Sequence, residues 1–226
     1  MKRFLKFGLI GLLAVTLFSC DFDDDGYSLD NFWVGFGIIN AESGSSYTIK
    51  MDDGSELFPV AGYPYWDDLE DSTRVLVNFT ILDDKTVDEE HEQYYVRVNS
   101  VKDILFKGVL DITEAIEDSI GNDPVHVDDI WATNNMLTFE LDYFGSGGIH
   151  YVNLVKQPGD ITPDDEPIQL ELRHNDRDDQ PIYRMSAFVT FDLSSLQIAG
   201  QDSVQYTVTG KDYEGEVFEY DGVYRY

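Results

Sequence analysis

The sequence predicts a mainly β chain: a small barrel of about five strands, then a seven-stranded antiparallel β-sandwich, joined by a short helix. Three observations carry this. Short runs in which apolar and polar residues alternate recur along most of the chain, the period of a strand with one face buried. Turn residues separate those runs. One helix-start signature, Asp111-Ile112-Thr113-Glu114, falls near the middle.

The chain begins MKRFLKFGLIGLLAVTLFSC, and this stretch ends at the single cysteine, Cys20. Lys2, Arg3 and Lys6 precede an apolar run from Phe7 to Phe18. A bilayer-spanning helix needs about 17–25 residues, so residues 1–19 read as a cleaved export signal. Leu17-Phe18-Ser19-Cys20 resembles the end of a bacterial lipoprotein signal. That resemblance implies a lipid on Cys20 and a cell-envelope location, at the outer membrane. Residues 20–30 form an acidic tether. Asp21, Asp23, Asp25 and Gly26 match half of a calcium loop, but the position that needs a bidentate Glu falls on Phe32. An acidic stretch behind a lipidated cysteine is also similar to the surface-export signal of some Gram-negative lipoproteins.

The barrel is expected over residues 31–122. In Arg74–Leu82, Val75, Val77, Phe79 and Ile81 alternate with Arg74, Leu76, Asn78 and Thr80. Tyr94, Val96 and Val98 repeat the pattern, and Phe32–Ile39, Tyr47–Met51 and Glu56–Val60 complete the set around the Asp52-Asp53-Gly54 turn. Asp111 as N-cap and Glu114 at N3 form a capping box, so a linking helix is expected over 111–120. Gly121-Asn122-Asp123-Pro124 ends it.

The sandwich is expected over residues 123–226. Its inward faces are Leu137, Phe139, Leu141 and Tyr143; Ile168, Leu170 and Leu172; Ala187, Val189, Phe191 and Leu193; Val204, Tyr206 and Val208; and Phe218, Tyr220, Tyr224 and Tyr226. Val125–Trp131 and Gly148–Val155 bring the strands to seven. Gly145-Ser146-Gly147-Gly148 reads as a hairpin turn, and Trp33 and Trp131 as core residues. The last strand reaches Tyr226, so trimming the C-terminus should damage the fold.

Fifteen Lys and Arg stand against 44 Asp and Glu, a net charge of −29. Nucleic acid is excluded as a partner, because binding it requires basic groups that displace phosphate counterions. Attraction to anionic lipid headgroups is excluded for the same reason, which leaves membrane attachment to the lipid on Cys20. The acidity suits cationic, neutral or divalent partners, and equally serves solubility alone. A lone cysteine permits no intrachain disulfide, so packing must hold the domains.

The stretches DDDGYSLDNFWVGF, RVLVNFTILDDK, YYVRVNSVKDIL, DSIGNDPVHVDDIW, YVNLVK, LELRHN and VTFDLSSLQ, spread from Asp23 to Gln197, resemble the NigD-like lipoproteins. The resemblance implies an OB-type barrel followed by a β-sandwich. It also implies a bacteriocin-immunity role, an assignment that rests on gene neighbourhood. It transfers one residue, the anchor Cys20.

No motif calls for a cofactor. The four histidines, His91, His126, His150 and His174, lie in separate segments without metal-ligand spacing. His174, at a strand end beside acids, stands out among them. A G-x-S-x-G serine motif is absent from the sequence. Acidic pairs are abundant and read as solvated turns. Asp176, Asp178 and Asp179 form the best of the weak calcium candidates. The Asp-Ser pairs at 71–72, 118–119 and 202–203 are similar to O-glycosylation acceptors and are equally ordinary turns. For recognition, the segment Tyr63-Pro64-Tyr65-Trp66 places Tyr63, Tyr65 and Trp66 where exposed rings can stack on sugars or anchor a protein. The same loop can instead fold back as a plug on the barrel. The expected function is therefore a non-enzymatic, membrane-anchored binding protein of the envelope, of immunity type. A glycan-binding lipoprotein is the alternative, and a carboxylate-dependent hydrolase a remote one.

Overall fold

A computed structural model describes residues 27–41, 47–62, 70–86 and 92–226. Strands β1 (Trp33–Ala41), β2 (Tyr47–Met51), β3 (Glu56–Gly62), β4 (Arg74–Thr86) and β5 (Glu92–Asp103) close into a barrel in the order β1-β2-β3-β5-β4. Strands β3 and β5 run parallel and the other neighbours antiparallel, the arrangement of an OB-type barrel. Register shifts in β4 at Asn78/Phe79 and Ile81/Asp83 bend that long strand around the closure. Val75, Val77, Phe79 and Ile81 are buried, with Ile39, Ile49, Leu57, Val96 and Val98 opposite. The alternation in the sequence foretold this face. Trp33 packs against it from the rim.

The chain leaves the barrel at Ile104, earlier than the linking helix. Strands β6 (Leu105–Gly108) and β7 (Leu110–Asp111) already belong to the second unit. The helix α1 (Glu117–Ile120) follows, then β8 (His126–Thr133), β9 (Met136–Gly145), β10 (Tyr151–Lys156), β11 (Ile168–Asn175), β12 (Tyr183–Asp192), β13 (Ser203–Lys211) and β14 (Val217–Arg225). They form two sheets, β14-β13-β11-β10-β7 and β6-β12-β9-β8. The seven expected strands are present, but β6 and β7 add an edge to each sheet. The pairings β10–β7, β11–β13 and β12–β6 are parallel, so the sandwich is not wholly antiparallel.

Two local expectations are corrected. Asp111 does not cap a helix; it pairs in β7 with Lys156 and forms an ion pair with it at 2.6 Å. Helix α1 starts later, without a side-chain cap, and ends as expected at Gly121, whose φ of +73° suits glycine. An edge-strand partner therefore prevailed over the local capping preference. Likewise Gly145–Gly148 is not a hairpin turn. Strand β9 lies in one sheet and β10 in the other, so this segment crosses between them. Glycine-rich sequence marks a reversal without saying which sheet receives the next strand.

The core lies between the sheets and is built from the predicted faces: Leu137, Phe139, Leu141, Leu154, Leu170, Leu172, Phe191, Val204, Tyr206 and Val208 are all buried. Across β13–β14, Tyr206 and Phe218 lie over the opposite glycines Gly222 and Gly210, where a Cβ would come within 2.3 and 2.2 Å of the rings. Tyr224 is buried, and the Tyr226 hydroxyl bonds both the amide and the carbonyl of Ile198. Trp131 is not a core residue. It faces outward with Phe188 and meets Phe36 of the barrel, with ring centroids 5.4 and 5.1 Å from Phe36. Over Phe36 lies the guanidinium of Arg74, fully buried and donating from both terminal nitrogens to Asp52. The Arg74 carbonyl also accepts the amide of Ile104, where the chain crosses between the two units.

Candidate functional site

One end of the sandwich gathers four connections, 122–125, 146–150, 176–182 and 212–216, because β8 to β14 all begin or finish there. A polar clamp joins two of them. The Asp179 carboxylate accepts the Ser146 amide at 2.7 Å, the Ser146 hydroxyl and the Gly148 amide at 2.9 Å. The Ser146 hydroxyl, then these amides, hold the Asp179 carboxyl well below the usual carboxylate range. His150 Nε2 faces the same carboxylate at 3.3 Å, and its Nδ1 lies 2.9 Å from His174 Nε2. His174 Nδ1 in turn meets the Pro124 carbonyl at 3.0 Å. Burial, the main cause, pushes the His174 imidazole down from its ordinary value. The chain Pro124–His174–His150–Asp179 ends in an acceptor on each side. Two neutral imidazoles supply two ring protons for these three links, so in that state one link lacks a proton. Tyr143 covers both rings, at 4.7 and 5.9 Å between centroids.

A second polar cluster lies on the outer face of the four-stranded sheet, the face that carries the barrel. Asp142 accepts from Ser186 and Arg184 on β12. Its pKa is lowered, first by the Ser186 hydroxyl, while that of neighbouring Asp128 is raised, first by its hydrogen bond to Asp142. His126 bonds Asp212 at 2.8 Å, which raises its pKa. Opposed carboxyl shifts are what hydrolytic acid–base chemistry requires. Here both Asp142 oxygens are taken by protein partners, so the pair ties β8, β9 and β12 together.

Around the clamp the surface is both apolar and acidic. Ile149, Ile182, Tyr183 and Val217 are 70, 55, 65 and 67% exposed, beside Asp176, Asp178, Glu214 and Glu216. A cleft of about 740 Å³ opens next to it, between α1 and the outer face of the five-stranded sheet, bordered by Tyr151, Asn153, Asn175, Arg177 and Asp178.

Cys20, Tyr63, Tyr65, Trp66 and His91 lie outside the described residues. The calcium candidates divide. Asp179 is the clamp, the Asp176 carboxylate accepts the Asp178 amide at 2.9 Å, and Asp178 borders the cleft. Among the described residues no group of three His, Cys, Asp or Glu could hold a metal ion, and no helix is long and apolar enough to cross a membrane. Sequence reasoning missed Arg74 with Asp52 and His150 with Asp179. No spacing signal joins these pairs, because they are 22 and 29 residues apart.

Comparison with known proteins agrees with the architecture. The model of the NigD-like C-terminal β-sandwich domain matches residues 108–224, and that of the NigD-like N-terminal OB domain matches residues 36–104. Among solved structures, a Parabacteroides distasonis protein provisionally called toxin-related is 29% identical, with a TM-score of 0.70 over 86% of this chain and 94% of that one. A NigD-like immunity protein from Bacteroides caccae is 17% identical, with a TM-score of 0.66 over 86% and 94%. A Bacteroides fragilis protein provisionally called a lipoprotein is 14% identical, with a TM-score of 0.62 over 87% and 98%. The last two likenesses speak for the fold alone. A search of curated proteins finds no match.

Proposed function

The chain belongs to the NigD-like family, and from that premise we propose that it is a non-enzymatic binding protein of the cell envelope. It is held by a lipid on Cys20 at the outer membrane and engages a basic protein or peptide in the manner of an immunity protein. The observation that carries the reading is the loop end of the sandwich, where exposed Ile149, Ile182 and Tyr183 stand among acids in a chain of net charge −29. Apolar anchors ringed by like charges suit a partner that is cationic and amphipathic. Complementary charge steers such an encounter and makes it sensitive to salt. The Bacteroides caccae relative that shares this fold is named an immunity protein, and the Bacteroides fragilis one is provisionally called a lipoprotein.

The full chain, solubilised in detergent, should retain a basic protein or peptide from lysate or secreted fractions at low salt and release it at high salt. The paired substitution Ile149→Ser with Ile182→Ser should abolish retention. A partner whose retention ignores both salt and these substitutions would overturn the reading, as would finding none. Absence of protection in cells expressing the chain would remove the immunity version alone. Palmitate incorporation that persists in Cys20→Ala would remove the anchor.

A further inference from the structure

We propose that the cleft between α1 and the five-stranded sheet is a binding site for a neutral saccharide. Its floor is apolar, formed by Leu110 and Ile116 with part of Ile120. Its polar border offers groups that the fold leaves unused. Asn153 is only 9% exposed, and its Oδ1 accepts the Lys107 ammonium at 3.1 Å. Its amide nitrogen has no hydrogen-bond partner among the described residues, so its two N–H groups remain for an occupant. Arg177 forms no ion pair among the described residues, although the chain holds 44 acids. It is positioned instead by Tyr151, with Nη1 3.2 Å from the phenol oxygen and the guanidinium 5.5 Å from the ring centroid. Its remaining N–H groups are free to donate. The Asp178 carboxylate, beside it on the border, accepts no hydrogen bond among the described residues and supplies the acceptor.

Charge then selects the ligand class. A net charge of −29 opposes an anion. A cation meets Arg177 here, while acids free of any such neighbour cover the rest of the surface. Hydroxyl groups that both donate and accept suit Arg177, Asn153 and Asp178 together. The C–H face of a sugar ring suits the Leu110–Ile116 floor. At about 740 Å³ the cleft is within the usual range of ligand sites, roughly 300–1,000 Å³. The cleft adjoins the loop end and shares the 176–182 connection with it, but its ligand differs from the basic partner, so either reading can fail while the other stands.

The test is an array of neutral and acidic oligosaccharides with free dipeptides as a separate arm, probed with the detergent-solubilised full chain. The strongest neutral ligand is then titrated by calorimetry. Positive φ at Arg177 and Asp178, +55° and +59°, is tolerated by asparagine. Arg177→Asn and Asp178→Asn should therefore keep the fold, checked by circular dichroism. Each should weaken a neutral saccharide by about tenfold or more, the effect of removing a charged hydrogen-bond partner. Binding only to acidic sugars or dipeptides would overturn the assignment. So would neutral-saccharide binding unchanged in both variants, or no binding at all.

Discussion

In the barrel, the buried guanidinium of Arg74 meets both oxygens of Asp52; in the sandwich, the buried His174 meets a carbonyl and a second imidazole. The first device stands at the junction between the two units, against the Phe36 ring, and the second behind the exposed loop end. Both tie together segments that are otherwise connected by loops. They differ in what disturbs them. A fixed ion pair responds to the loss of a partner, whereas an imidazole chain responds to protons. The barrel is thus joined to its neighbour by an ion pair, and the loop end is held by a chain whose buried His174 has its pKa pushed down by burial.

The strongest way to break this comparison is Asp52→Ala. It leaves the Arg74 charge buried without a partner and should cost about 3–5 kcal/mol, measured by chemical denaturation. Adding Arg74→Met should recover most of that loss, since an apolar replacement of a buried pair is often neutral. A cost well below this range would mean that water reaches Arg74 and that the junction is not dry. Next comes Phe36→Ala. The Phe36 ring touches Trp131, Phe188 and the Arg74 guanidinium, and its loss should cost about 1.5–3 kcal/mol. Calorimetry should then resolve separate melting of barrel and sandwich, and one unchanged transition would contradict the junction described above.

The pH dependence sharpens the contrast from the other side. Burial holds His174 below its ordinary value, so the folded state favours the neutral ring and the unfolded state binds the proton first. Stability should therefore fall as pH drops below about 6.5, the ordinary histidine value. Asp179, held low by Ser146, adds a further loss below the ordinary carboxylate range. Melting curves of wild type and His174→Gln across this interval should converge at acid pH. Parallel curves would mean that His174 does not titrate with unfolding. The smallest effect is expected from Glu117→Gln. Its contact with Arg173 spans 3.8 Å and Glu117 is 57% exposed, so the change should stay within about 1 kcal/mol.

By itself the sequence determined what is periodic and local. The inward faces of β4, β9, β11 and β13 and the stop at Gly121 follow from neighbours within a few residues. The fold class follows because alternation decides which side of each strand is apolar. Only the tertiary structure decided which strands share a sheet. It turned the Gly145–Gly148 segment into a crossover, gave Asp111 to Lys156, and moved Trp131 from the core to the junction. It also assembled the clamp, whose His150 and His174 are 24 residues apart, and the cleft, which draws on α1, β10 and the loop after β11. The reason is physical: a strand's period fixes one face, but its partners are set by long-range register and by which polar groups can be satisfied once buried. An alternating pattern carries no record of either.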